Sequence, residues 1–114
     1  MTINIIYRGV ESTPAIKDYL EEKMMSLTKY DDRIQHIDIE IGVTTHHHKK
    51  GDIFFCKAGV SSHGDVLRLE REEDDLYKAI DKVRDHLRVE LSERKERRQD
   101  RAQQVESEEQ DPTI

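Results

Sequence analysis

Cysteine is almost absent. A lone residue, Cys56, excludes an intramolecular disulfide framework and fits a reducing compartment. Glycine is scarce as well, and five scattered glycines cannot build a dinucleotide fingerprint or a phosphate-cradling loop. No apolar run approaches the roughly 18 residues of a membrane span. The opening MTINIIYRGV lacks a basic start followed by an apolar run, so no secretory signal is expected and the cytoplasm is the expected location. Paired cysteines are missing, and no nucleophile, base and orienting group can be assembled. An enzyme is therefore not expected, nor is a cofactor.

What is present is charge. The chain has 114 residues, which suits one domain with a modest core. Charged residues make up 39%, and the mean hydropathy is -0.88, polar for a globular chain. The net charge of -6 argues against a nucleic-acid partner only if it is evenly spread. It is not. Residues 76–98 hold eight bases and five acids, whereas residues 99–114 hold five acids and one base.

The chain is organised around the stretch EEDDLYKAIDKVRDHLRVEL, residues 72–91. Leu76, Ile80, Val83, Leu87 and Leu91 recur at helical spacing, which predicts one apolar stripe. Four acids, Glu72 to Asp75, lie where a helix start favours negative charge, and Asp74 or Asp75 can cap it. Tyr77, Arg84, Arg88 and Lys95 fall on one flank of this helix, with Lys78 and Lys82 on a separate face.

From the N-terminus, Ile3, Ile5 and Tyr7 alternate with polar or outward positions, which predicts a strand ended by Gly9. Thr13 and Pro14 start a helix carrying Ile16, Leu20 and Leu27, running to about Thr28 or Tyr30. Ile37, Ile39, Ile41 and Val43 alternate strictly with Asp38, Glu40 and Gly42, so one sheet face is buried and one is bare. A third strand places Phe54, Cys56, Ala58 and Val60 on the inner face and Phe55 and Lys57 on the other. Ser61 to Asp65 forms a hairpin turn, and the fourth strand turns Leu67 and Leu69 inward.

The order is therefore β-α-β-β-β-α. It predicts an α/β two-layer sandwich: a four-stranded mixed sheet with both helices on one face. A crossover helix makes the first two strands parallel, and short links make the other pairs antiparallel. The expected core includes Leu20, Ile39, Ile41, Phe54, Cys56, Ile80 and Leu87. The domain is expected over residues 1–98, with an acidic disordered tail over 99–114.

Several chemistry-bearing residues have plain structural readings. His46, His47 and His48 are adjacent in a loop and cannot all reach one ion, so no metal site is expected. Lys49 and Lys50 beside them suggest a basic loop tip. His36, His63 and His86 are expected as isolated surface residues. Cys56 reads as a small core hydrophobe, not a reactive thiol. What remains is a basic helical surface with tyrosines, Lys23 and Tyr30 on the first helix and Tyr77, Arg84 and Arg88 on the second. Cations that track phosphates and aromatics that stack bases are the parts of a sequence-tolerant RNA site.

The chain resembles the ribosome hibernation-promoting factors, the group that includes ribosome-associated inhibitor A. The resemblance rests on Thr13-Pro14-Ala15-Ile16, on Lys23, Leu27, Tyr30, Arg33 and Ile34, and above all on Glu73-Asp74-Asp75-Leu76-Tyr77-Lys78-Ala79-Ile80-Asp81. It implies a translation inhibitor that occupies the decoding centre of the small ribosomal subunit in stationary phase or stress. The implied partners are that subunit and its rRNA, without DNA or membrane. The protein is expected to be ribosome-associated in the cytoplasm and a monomer off the ribosome. The candidate RNA contacts are Lys17, Lys23, Lys29 and Arg33 from the first helix and its exit. Lys78, Lys82, Arg84, Arg88, Arg94 and Lys95 come from the second. Their expected role is phosphate neutralisation.

The family often carries Lys-x-x-Arg-Gln-Leu late in the second helix, where this chain has His86, Val89, Glu90 and Leu91. Ser26 stands at a position that is often Lys. The alternative is accordingly a divergent paralogue that binds another RNA or a protein partner. The acidic tail is expected to meet basic ribosomal proteins or to fold back over the helix cations in the free protein, and the resemblance implies that it also extends toward the mRNA path and hinders ribosome pairing.

Overall fold

The computed structural model describes residues 1–44 and 51–109. The histidine run and Lys49-Lys50 lie outside them. The elements are β1 (Thr2–Arg8), α1 (Pro14–Met25), β2 (Ile34–Thr44), β3 (Ile53–Ser62), β4 (Asp65–Glu73) and α2 (Leu76–Glu109). A 3-10 turn over Ser26–Lys29 follows α1 directly.

Local chemistry sets the helix starts. The Thr13 hydroxyl accepts the Ile16 N–H at 3.3 Å, and Pro14 takes the first helical position, where its missing N–H costs nothing. For α2 the cap is Asp75, whose Oδ1 accepts Tyr77 N–H at 2.8 Å and Lys78 N–H at 3.4 Å. Glu72 and Glu73 do not belong to the helix start. They end β4, opposite Phe55 and Phe54, because the β3 ladder holds the chain extended that far.

The sheet order is β1-β2-β3-β4. β1 runs parallel to β2 with Ile3 opposite Ile37, and the other two pairs are antiparallel. This is the expected β-α-β-β-β-α sandwich. Ile37, Ile39 and Ile41 turn one way, with Cys56, Ala58, Val60 and Leu67, and meet Leu20 and Met24 of α1. Ile80, Val83, Leu87 and Leu91 of α2 close the same core. Cys56 is fully buried, and burial pushes its thiol up to about 12, so it is the packing residue its strand position suggested.

Two aromatic positions differ from expectation. Phe54 is not part of the core. It sits near the start of β3 between Val43 and Glu73 and is only half-buried. Phe55 does face outward, yet it is buried, because its ring lies over Gly42. A Cβ added at Gly42 would stand 2.9 Å from Phe55 Cε1 and 2.3 Å from Arg8 O. The missing side chain thus makes room for the ring on the otherwise open face.

The hairpin between β3 and β4 turns on His63 and Gly64, with φ of 54° and 76°. Positive φ at both central residues is the conformation whose twist matches the strands, and it aims the His63 ring back at the domain.

The C-terminal segment also differs from expectation. The helix does not stop at Arg98 but is unbroken to Glu109. Residues 99–109 contain no Gly or Pro and are rich in Gln and Glu, which propagate a helix already nucleated.

The core makes a direct test possible. Leu87 is fully buried between α2 and the sheet. Leu87→Ala should cost about 2–5 kcal/mol in denaturant unfolding, and a change below about 0.5 kcal/mol, the size typical of surface substitutions, would show that α2 does not pack there.

Candidate nucleic-acid interface

The helical side of the domain carries its cations in separate places. The first is the seam between α1 and α2. Tyr19 and Lys23 lie one turn apart on α1; Tyr77, Asp81 and Arg84 lie along the facing flank of α2. The Tyr19 hydroxyl donates to Asp81 Oδ1 at 2.5 Å. Its ring meets Tyr77 edge to face at 4.8 Å between centroids, and Lys23 Nζ stands 5.2 Å over it. Lys23 Nζ is also 3.8 Å from Asp81 Oδ1. Burial, then the hydrogen bond and the charge of Asp81, push the Tyr19 phenol up to about 12, so it stays a donor at any physiological pH. Arg84 Nε lies 3.0 Å from Asp85 Oδ1 but is not aligned for a hydrogen bond. Its charge lies close enough to Tyr19 to oppose that rise in part.

The second place is a depression where Lys82 and Arg88 meet Glu70, Glu72, Asp85 and His86. Arg88 was expected on the Tyr77 flank; its side chain borders this mixed-charge depression instead. His86 is not isolated. It contacts Arg71 Nη2 at 3.1 Å and Glu90 Oε1 at 3.7 Å, tying α2 to β4.

The remaining predicted cations stand apart. Lys17 is 4.0 Å from Glu21, and Lys29 and Arg33 are exposed near the end of α1. Lys78 is 3.2 Å from Asp74, whose hydrogen bond and charge raise its pKa. Lys95 is exposed, and Arg94 Nη1 reaches Asp65 Oδ2 at 3.3 Å. The ten predicted contacts thus share the helical side without forming one site.

Sequence reasoning missed the groups around Arg94. Asp31, between α1 and β2, has a side chain only 2% exposed. Its Oδ1 accepts Arg33 N–H at 2.9 Å and lies 3.2 Å from His63 Nε2; its Oδ2 accepts the Ser62 hydroxyl. Ser62 and His63 both bond the carboxylate rather than each other, so this is not a nucleophile-base pair. Arg98 Nη2 approaches Asp31 Oδ2 at 4.0 Å. Tyr19 was missed too, although it precedes Lys23 by one turn.

Among the described residues, no group of three or more His, Cys, Asp or Glu is placed to hold a metal ion. No helix among them is long and apolar enough to cross a membrane.

These features define a two-layer α/β domain with cations gathered on its helical side. The chain belongs to the family described as Sigma 54 modulation protein / S30EA ribosomal protein, whose model matches residues 3–99. Its relatives are ribosome hibernation promoting factors. It is 30% identical over 103 residues to the one from Azotobacter vinelandii, covering 90% of this chain and 91% of that one. It is 31% identical over 97 residues to the one from Klebsiella oxytoca, covering 85% and 96%. The crystal structure of the Thermus thermophilus Protein Y N-terminal domain superposes with a TM-score of 0.71 at 30% identity, covering 82% of this chain and 98% of that domain.

Asp31 generates a pH prediction. Burial alone would raise its pKa from 3.8, but the Ser62 hydroxyl, the Arg33 N–H and His63 outweigh burial and hold it below that value. A depressed folded pKa stabilises the protein above the ordinary carboxylate range, and that stability is lost as pH falls through the folded value. Asp31→Asn should lower the melting temperature at neutral pH and flatten the loss of stability below about pH 4. Parallel melting profiles for the two proteins across that range would show that the carboxylate contributes nothing.

Proposed function

We propose that this chain is a ribosome-binding translation inhibitor of the hibernation type. It occupies the decoding centre of the small subunit in stationary phase or stress, where it overlaps the tRNA and mRNA positions. The observation that carries this reading is the match to ribosome hibernation promoting factors over about nine-tenths of both chains. The role is binding, not catalysis. Cations on α1 and α2 neutralise rRNA phosphates, and the tyrosines of the seam offer faces on which a base or ribose can rest. The protein works in the cytoplasm, on the ribosome, and is a monomer when free.

Residues 1–98 form the binding unit, and residues 99–114 form an acidic extension. Its first eleven residues continue α2, with Arg101 still beside the β3–β4 hairpin. It reaches toward the mRNA path and hinders ribosome pairing. A chain ending at Arg98 should bind subunits normally and raise the dimer fraction in sucrose gradients; an unchanged dimer fraction would leave the extension without this role.

One observation favours a second reading. His86 and Val89 stand where the resemblance leads one to expect cations, His86 is engaged by Arg71 and Glu90, and Val89 is 45% exposed. That face suits another RNA or a protein partner. Co-sedimentation with small subunits separates the readings, since only the first requires binding. If phosphate contacts hold the complex, removing charge at Lys23, Lys82 or Arg88 should each lower the salt slope of binding by about one. Affinity indifferent to salt, or undiminished in the triple variant, would refute the phosphate-contact mechanism.

A further inference from the structure

The inward face of α2 continues beyond its apolar residues. Leu87 and Leu91 are followed by Arg94, Arg98 and Arg101 at the same steps of three and four, which keep one face of a helix. These arginines therefore lie beside the tip of the β3–β4 hairpin, Arg94 and Arg98 half-buried and Arg101 exposed. With Arg97 they line a cleft of about 280 Å³ whose opposite wall carries His63, Asp65 and Asp31.

The charge in this cleft is unbalanced. Four arginines face two carboxylates, a surplus of two positive charges with His63 neutral. Asp65 engages Arg94. Both oxygens of Asp31 are turned to Ser62, Arg33 N–H and His63, and Arg98 reaches it only at 4.0 Å. Arg97 forms no ion pair among the described residues. Guanidinium groups crowded on one helix face repel one another unless an anion joins them. Their planar donor pairs match the oxygens of a phosphate, which a single lysine charge does not.

We propose that this cleft is a phosphate-binding site distinct from the α1–α2 seam. Arg97, Arg98 and Arg101 grip the phosphate oxygens, and Asp31 and Asp65 hold the hairpin wall and Arg94 in place. The phosphate comes either from an RNA backbone or from a free diphosphate group. The site does not depend on the ribosomal role, because its arginines and the hairpin wall lie outside the seam.

The test uses the full chain and pyrophosphate as probe, titrated calorimetrically at constant ionic strength in phosphate-free buffer. Saturable binding at one site is expected. Arg97→Gln combined with Arg101→Gln should weaken it about tenfold or more, equivalent to about 1.4 kcal/mol. Gln keeps helix propensity at both exposed positions, and circular dichroism checks the fold. Arg68→Gln, which removes one positive charge from the open sheet face, should leave binding unchanged. A second measurement needs no variant: the arginine side-chain NMR signals of Arg97, Arg98 and Arg101 should shift on titration. Competition with a short single-stranded RNA then identifies the source. Displacement of the RNA by pyrophosphate assigns the site to backbone phosphates, and simultaneous binding assigns it to a free diphosphate. Absence of saturable binding, equal weakening by Arg68→Gln, or arginine signals that do not move would each overturn the proposal and leave the row as mere counter-charge for Asp31 and Asp65.

Discussion

The structure depends on one seam, the contact between the apolar stripe of α2 and the inner face of β3 and β4. Ile80, Val83, Leu87 and Leu91 are at most 2% exposed, and they cover Cys56, Ala58, Val60 and Leu67. A small domain with so high a share of charge has little other apolar surface to bury. The seam also sets the register of everything polar on the helix. Because its direction of contact is given by the stripe, the flank at Tyr77, Asp81 and Arg84 must meet α1, and the flank at His86 must meet β4.

Charge is arranged around that seam by sign and by burial. The open sheet face balances itself, with Glu40 shared between Arg8 at 3.5 Å and Lys57 at 3.8 Å, and Asn4 donating to Asp38. The helical side places Arg84 near Tyr19 and the arginine row beside the hairpin. A chain of net charge -6 can therefore still present locally basic surfaces, since charge is unevenly placed and distant charges are screened. Asp31 is the exception that organises rather than binds. It is buried, fully hydrogen-bonded and ionised, and it joins the end of α1, the β3–β4 hairpin and the late turns of α2.

Element order was legible because each element has an unambiguous period. Strict alternation from Ile37 to Val43 and the three-and-four spacing from Leu76 to Leu91 allow one assignment each, and the capping residues Thr13 and Asp75 mark two boundaries. The failures have physical causes as well. Phe54 obeys the alternation but lies at the outer end of its strand, outside the core cluster, and Phe55 breaks the inside-outside rule because Gly42 vacates its place. The extent of α2 was missed because apolar period was taken as the mark of a helix, whereas propensity alone extends one that has begun. Arg97, Arg98 and Arg101 escaped for a related reason: the stripe changes from leucine to arginine without changing register.

The sequence by itself determined the β-α-β-β-β-α order, the buried face of each element and the identity of the cations, since all three follow from local period and composition. Only the tertiary structure decided which cations share a place. Tyr19 and Asp81 are 62 residues apart, and Asp31 and His63 are 32 apart. Such pairs leave no periodic trace in the chain. They exist because sheet register and helix docking bring distant residues within hydrogen-bond distance, and burial there makes each contact strong enough to hold a charge or a proton in place.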